Sequence, residues 1–243
     1  MSSSTSVLPA IPRTQGLAST TFRVPPLDGS LVFPQLFDFH GEHSPNHRFF
    51  VYAEEDGTKK PITWSRANQA ILRSALLVRE RLGWKPNVGA EKAPVVAILS
   101  ASGKRLHAHV QYYDVRHSSI CVDAIPYATT TMGIMRAGYV PFPISTRNSP
   151  AAVAHLLEKT NVKHLIVGVD PAMQSLAAES LETLKSQHPS VTVPTTSQMP
   201  VFSDLYDERL GPVRTEDVPY EQPSLQTPVF LLHSSGDLAS LCH

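Results

Sequence analysis

The chain has 243 residues, enough for one sizeable α/β domain or two small ones. Hydrophobic residues make up 42% and charged residues 17%, and 21 Lys and Arg balance 21 Asp and Glu, so charge gives no argument for nucleic acid or an anionic membrane surface. Cys121 and Cys242 are too few for a disulfide framework, no apolar run nears the roughly 20 residues of a bilayer span, and the polar start Met1-Ser-Ser-Ser-Thr-Ser lacks the pattern of a secretory signal, so a cytoplasmic protein is expected.

Residues 1–30 are rich in Ser, Thr and Pro and read as a flexible or loosely docked leader. The aromatic run from Leu31 to Phe39 predicts a short helix or strand packed on the main body. Phe49 to Ala53 reads as a strand, Asp56-Gly57 as a turn, and Ile62-Thr-Trp as the return strand of a hairpin. A helix follows over 65–82, capped by Thr63 or Ser65. Ala67, Ile71, Ser74, Val78 and Leu82 form its inward stripe, and Gly83 and Pro86 end it. The run from Pro94 to Leu99 predicts a strand buried on both faces.

A helix is expected over about 129–137, ending at Gly138, with an extended stretch from Tyr139 to Ile144. Ser149-Pro150 is a strong helix start: a hydroxyl to cap the first turn, then a proline at a position whose N–H has no helical partner. His164 to Gly168 is another buried strand. Asp170-Pro171 opens a helix to about Ser186. Residues 189–226 read as loop-rich, with Val201-Phe202 a short strand, and Thr227 to Leu232 as the last strand. Strands alternating with helices imply an α/β fold, a mostly parallel sheet with flanking helices.

Residues 103–124 break this rhythm, because a strand-to-helix connection normally takes about 2–6 residues. His107, His109, His117 and Cys121 in it are metal-ligand types, but their spacing matches no standard zinc pattern. The segment therefore reads as an atypical insert, either an insertion or a disordered loop, and no metal site is expected.

Three stretches carry a family resemblance. The first is the hairpin and helix from Tyr52 to Leu82. The second is Met132-Gly-Ile-Met-Arg-Ala-Gly-Tyr-Val-Pro-Phe-Pro-Ile-Ser with Asn148-Ser-Pro. The third is Pro228-Val-Phe-Leu-Leu-His-Ser-Ser-Gly. Together, over about 30–102 and 125–236, they resemble the adenylate-forming (AMP-binding, acyl-activating) superfamily. The wording is nearest the adenylation domains of fungal nonribosomal-peptide-synthetase-like adenylation–thiolation–reductase proteins.

The resemblance implies the N-terminal subdomain of the large lobe, with ATP and Mg²⁺ as cofactors and a carboxylic acid as substrate. It makes Ser234, Ser235 and Gly236 the first positions of the ATP phosphate loop. Such a loop needs small residues for close approach and hydroxyl and N–H donors for a polyanion. Here Asp237 to His243 follow as an aberrant tail, where the family continues with Ser/Thr-Thr-Gly-x-Pro-Lys. A truncated adenylating domain over 31–236, inactive alone, is therefore expected. The alternative is a non-catalytic interaction or regulatory protein built on the same subdomain. Self-association through exposed core is expected in either case.

Residues 103–122 and the tail from 237 also read as translated intron, since Gly103-Lys104 can be encoded by GGT-AAG and Gly236-Asp237 by GGT-GAC. His233-Ser234-Ser235-Gly236 is not the Gly-x-Ser-x-Gly of a hydrolase. Arg136, Arg147 and Asn148 are read as structural or surface residues rather than ligand contacts. His40, His43 and His47 are read as loop or surface positions, and Trp64 and Trp84 as core or core-edge packing.

Overall fold

The computed structural model describes residues 18–54, 56–83, 93–101, 124–220 and 228–233. Helix α1 (Gln35–His43) precedes an antiparallel hairpin of β1 (Arg48–Ala53) and β2 (Lys59–Thr63), with Ala53 opposite Lys59 across the turn. Gly57 takes φ +82° in that turn, and the Asp56 carboxylate accepts the Thr58 N–H at 2.7 Å. This is the chemistry that the Asp-Gly pair implied.

Helix α2 (Trp64–Leu82) then runs its stripe of Ala67, Ile71, Ser74 and Val78 into the interior. It stops at Gly83, whose φ of +64° lets its N–H close on the Arg79 carbonyl at 2.8 Å. Thr63 stands at the N-cap, but its side chain makes no capping bond.

The main sheet holds β3 (Val95–Leu99), β4 (Val140–Pro143), β5 (His164–Val167) and β6 (Thr195–Gln198), all parallel, in the order β4-β3-β5-β6. The connecting helices are α3 (Ala124–Arg136), α4 (Pro150–Lys159) and α5 (Pro171–Gln187). Side chains alternate across β3: Val96 and Ile98 pack with α2 and α3, while Ala97 and Leu99 pack with α4 and α5. Both faces are covered, which is why β3 and β5 read as unbroken apolar runs. Ser149 and Asp170 cap α4 and α5 through their side chains, each followed by proline at the start of the helix, as their sequence implied.

Several expectations need correction. Helix α3 begins at Ala124, not near 129, because Pro126 falls in the first turn, where no helical N–H is lost. Its Thr129-Thr130-Thr131 run weakens the helical pattern, but Thr129 is buried and bonds the Tyr206 hydroxyl at 2.6 Å. Val201-Phe202 opens a short helix, α6 (Phe202–Tyr206), rather than a strand. Asp204 accepts the Val201 N–H at 2.9 Å, and Phe202 stacks on Tyr206 one turn on. Strand β6 was missed because Thr-Thr-Ser-Gln carries no apolar signal; it is a largely exposed edge strand.

Residues 228–233 run beside β4 but form no regular strand. The Leu231 N–H donates to the Pro141 carbonyl at 3.0 Å. The N–H groups of Val140 and Ile144 face β3, so Pro141 and Pro143 face the outer edge, and neither has a proton to donate. His40 is also corrected: it is buried on α1, stacked against the Trp64 ring, while His43 and His47 are exposed and half-buried. Trp64 is core, and Trp84 lies outside the described residues.

His164 is a polar member of this core. Its imidazole is sandwiched by hydroxyls from β6, with Nδ1 2.7 Å from Thr195 Oγ1 and Nε2 2.7 Å from Ser197 Oγ. Burial, then the charge of Arg81, pushes its pKa down from 6.5 to about 4. The folded protein thus binds this proton less readily than the unfolded chain. Its stabilising contribution is complete above pH 6.5 and is lost as pH falls toward 4. The expected loss is about 2–3 kcal/mol between pH 7 and 4.5. Urea unfolding at both pH values checks this, and His164→Gln should lose markedly less. Equal losses in the two proteins would show that other groups drive the acid response.

Candidate functional site at the carboxyl edge of the parallel sheet

The chain leaves β3 for α3 on one face of the sheet, and leaves β5 for α5 on the other. Such diverging connections mark the carboxyl ends of the strands as the place where open α/β sheets take ligands. Three segments bear on that edge.

After β4, the Ile144 N–H still pairs with the Ile98 carbonyl at 2.9 Å. The chain then turns at Ser145 to Asn148, the Asn148 N–H donating to the Ser145 carbonyl at 3.2 Å. After β5, Gly168 lies so close to β3 that an added Cβ would sit 2.7 Å from Ser100 Oγ, and its carbonyl accepts from the Gln174 amide at 2.6 Å. The third segment is 228–233. Phe230 reaches the α1–α2–α3 side of the core, and Leu231 reaches the α4–α5 side.

His233 ends this third segment. The Ser145 N–H donates to its Nε2 at 3.1 Å, and its ring meets Phe142 edge-on at 6.1 Å. An Nε2 that accepts is unprotonated, so the imidazole carries its proton on Nδ1. His233 is thereby fixed to the turn that closes β4. Its own signal in the sequence was only its position immediately before Ser234. Ser234, Ser235 and Gly236 lie outside the described residues, as do His107, His109, His117 and Cys121.

Arg147 is exposed beside the Ser145 turn, and Asp170 spends a carboxylate oxygen on the Ala172 N–H at 2.8 Å, capping α5. Among the described residues, no group of three His, Cys, Asp or Glu side chains is placed to hold a metal ion.

The structure separates the arginines read together from the sequence. Arg147 and Asn148 sit at the carboxyl edge. Arg136 sits at the opposite end of β4, 1% exposed, with Nε donating to Asp38 Oδ2 at 2.9 Å and Nη1 to the Val218 carbonyl at 2.6 Å. Burial raises the Asp38 carboxyl above its ordinary range, and the Arg136 charge opposes that rise. Arg136 is structural, as its sequence reading held, but buried rather than solvated.

The chain resembles known proteins in sequence and in fold. Residues 120–236 match the family described as AMP-binding enzyme. Adenylate-forming reductase Nps10 of Heterobasidion annosum is 38% identical over 236 residues, spanning 96% of this chain and 20% of that protein. Adenylate-forming reductase Nps11 of Serpula lacrymans is 32% identical over 225 residues, spanning 90% of this chain and 18% of its own length. This chain thus spans about a fifth of the curated relatives it matches. The apo structure of MbtA from Mycobacterium smegmatis superimposes with a TM-score of 0.52 at 17% identity, over 91% of this chain and 33% of MbtA, and shares the fold. No helix among the described residues is long and apolar enough to cross a membrane. Residues 120–236 of this chain thus match the AMP-binding enzyme family, and 96% of the chain is similar to an adenylate-forming reductase.

Proposed function

We propose that this chain supplies the N-terminal part of an ATP-dependent carboxylate-adenylating lobe. In this reading Ser234, Ser235 and Gly236 open the phosphate loop, Mg²⁺ accompanies the nucleotide, and a carboxylic acid attacks the α-phosphate to release pyrophosphate. The observation that carries the reading is the seat of His233 on the Ser145 N–H, which brings the chain to the carboxyl edge of the sheet immediately before Ser234. A pyrophosphate leaving group needs N–H and hydroxyl donors at close range, and these residue types supply them. ATP and Mg²⁺ would bring the phosphoryl electrophile and its charge neutralisation; the chain's own part is to bind and orient.

We further propose that a polypeptide of residues 1–243 does not adenylate by itself, and that 103–122 is foreign to the lobe. Removing 103–122 joins Ser102 to Asp123 and leaves a short connection from β3 to α3, of the length such units use. Two measurements test the proposal. The polypeptide alone is expected to give pyrophosphate exchange at background with any carboxylic acid tried; acid-dependent exchange would overturn its inactivity. Residues 1–236 without 103–122, grafted in place of the matching segment of the Heterobasidion reductase, are expected to give an exchanging enzyme. Ser234→Ala or Ser235→Ala should then lower the rate about 10- to 100-fold, the worth of one donor to a developing charge. An active graft indifferent to both substitutions sinks the loop assignment, and a graft equally active with 103–122 retained sinks the intron reading.

The same edge supports the expectation of self-association. Val229 and Leu232 are 38% and 79% exposed beside a strand edge. Size-exclusion chromatography of the polypeptide should show concentration-dependent growth that Leu232→Lys reduces. A monodisperse monomer at high concentration would exclude it.

A further inference from the structure

Residues 19–24 lie across α1 through a cluster of rings. Phe22 is stacked on His40 at 5.0 Å and tilted against His47 at 5.1 Å, and His40 stacks in turn on Trp64 at 4.8 Å. Hydrogen bonds hold the same segment: Thr21 Oγ1 lies 2.9 Å from His47 Nδ1, and the Arg23 N–H donates to Ser44 Oγ at 2.9 Å. Ser44 Oγ is 3.3 Å from His40 Nδ1. The Ser44 hydroxyl thus accepts from Arg23 and can give its own proton to His40 only while Nδ1 is bare. An imidazolium at His40 would aim a second donor at that oxygen and strand the hydroxyl proton in a buried site.

The charged groups around His40 favour its neutral form. Arg23 lies on the segment itself, His43 on α1, and His47 just before β1. Of the acids on α1, Asp38 is paired with Arg136, and Glu42 lies 4.0 Å from His43. Helix α2 presents the uncharged Trp64 ring.

We propose that residues 19–24 form an acid-released latch, which the neutral His40–Ser44 pair holds closed and which protonation of His40 opens, uncovering the Trp64–His40 face. The linkage has a definite sign. Burial, then the charges of His47 and His43, holds His40 below its ordinary 6.5, and Phe22 supplies part of that burial. Docking therefore favours the neutral ring and weakens as pH falls from 6.5 through the depressed value of the docked state. An open hollow of about 260 Å³ lined by Arg23, Val24, Phe39 and His43 brings water to the edge of the latch.

Nuclear magnetic resonance of the 243-residue chain tests this. Backbone order parameters of Thr21, Phe22 and Arg23 are expected to fall below about 0.6 on going from pH 7.5 to 5, with amides of α2 unchanged. In His40→Phe the order of the segment should not depend on pH. In Phe22→Ala the His40 ring proton should titrate closer to the ordinary imidazole value. A latch equally ordered at both pH values overturns the proposal. So does a His40→Phe protein that responds to acid as the wild type does, or an unmoved His40 titration in Phe22→Ala.

Discussion

Arg136→Ala is expected to destabilise the protein by about 3–5 kcal/mol, the cost of breaking a buried ion pair by removing one partner. The guanidinium is 1% exposed and ties three parts of the chain together: Asp38 on α1, the Val218 carbonyl, and the Tyr220 ring 5.5 Å below its central carbon. Removing it leaves Asp38 half-desolvated without its cation. Lysine should not rescue, because a point charge cannot serve a carboxylate and a carbonyl in the forked geometry of arginine. A double change, Arg136→Met with Asp38→Leu, should recover much of the loss, since paired apolar replacements leave no charge uncompensated. The penalty of Arg136→Ala should also shrink as pH falls. Burial raises the Asp38 carboxyl, so without Arg136 the folded protein takes up this proton more readily than the unfolded chain, which stabilises it at acid pH and is lost as pH rises. Urea midpoints at constant slope decide the matter. A loss under about 1 kcal/mol, or a double variant no better than the single, would show that this pair does not hold α1 to the sheet.

In the second stretch that carried the family resemblance, the residues are ones of packing and turning. In Met132-Gly-Ile-Met-Arg-Ala-Gly, Gly133 permits helix contact, Arg136 clamps the stretch that carries Val218, and Gly138 takes φ +88° to turn α3 into β4. Periodicity and caps made β3, α4, β5 and α5 legible, because each is long or sharply punctuated and its apolar side chains face a covered sheet. The elements that were misread are short or polar. Strand β6 is held by pairing to β5 and by the hydroxyls that bind His164, neither of which leaves an apolar signal in Thr-Thr-Ser-Gln. Segment 205–220 is fixed by side chains of α2: Arg73 donates to the carbonyls of Leu205, Leu210 and Gly211, Gln69 exchanges two bonds with Val213, and Arg79 holds Pro219. Contacts that join residues more than a hundred positions apart leave no local pattern. The same is true of the proposed site: the resemblance points to Ser234 to Gly236, but the Ser145 N–H that seats His233 just before them belongs to the backbone and has no letter in the sequence.

Gly133→Val should cost about 3 kcal/mol, and Gly133→Ala about 1–2, as overpacking at a helix contact. A Cβ at Gly133 would press on Ser74 Oγ, lie 2.5 Å from Ser74 Cβ, and lie 3.1 Å from the backbone nitrogen of Ala75. The third contact is backbone and needs α2 to give by only a few tenths of an ångström, so the Ser74 side chain is the main obstacle. Glycine inside a helix gives up about 1 kcal/mol relative to alanine, and the close approach of α2 and α3 is what offsets it here. The contact is a matter of one side chain too many, on either helix. Moving the glycine across the interface, Ser74→Gly with Gly133→Ala, should therefore bring stability back to within about 1 kcal/mol of the wild type. Ser74 Oγ is buried without a hydrogen-bond partner, so its removal forfeits no bond. Thermal and urea unfolding of the three proteins make the comparison. If Gly133→Ala is as stable as the wild type, or the exchanged pair no better than Gly133→Ala alone, the two helices are free to separate. In that case the position of α3, and with it the start of β4 and the turn that seats His233, is set by the Arg136 clamp rather than by helix contact.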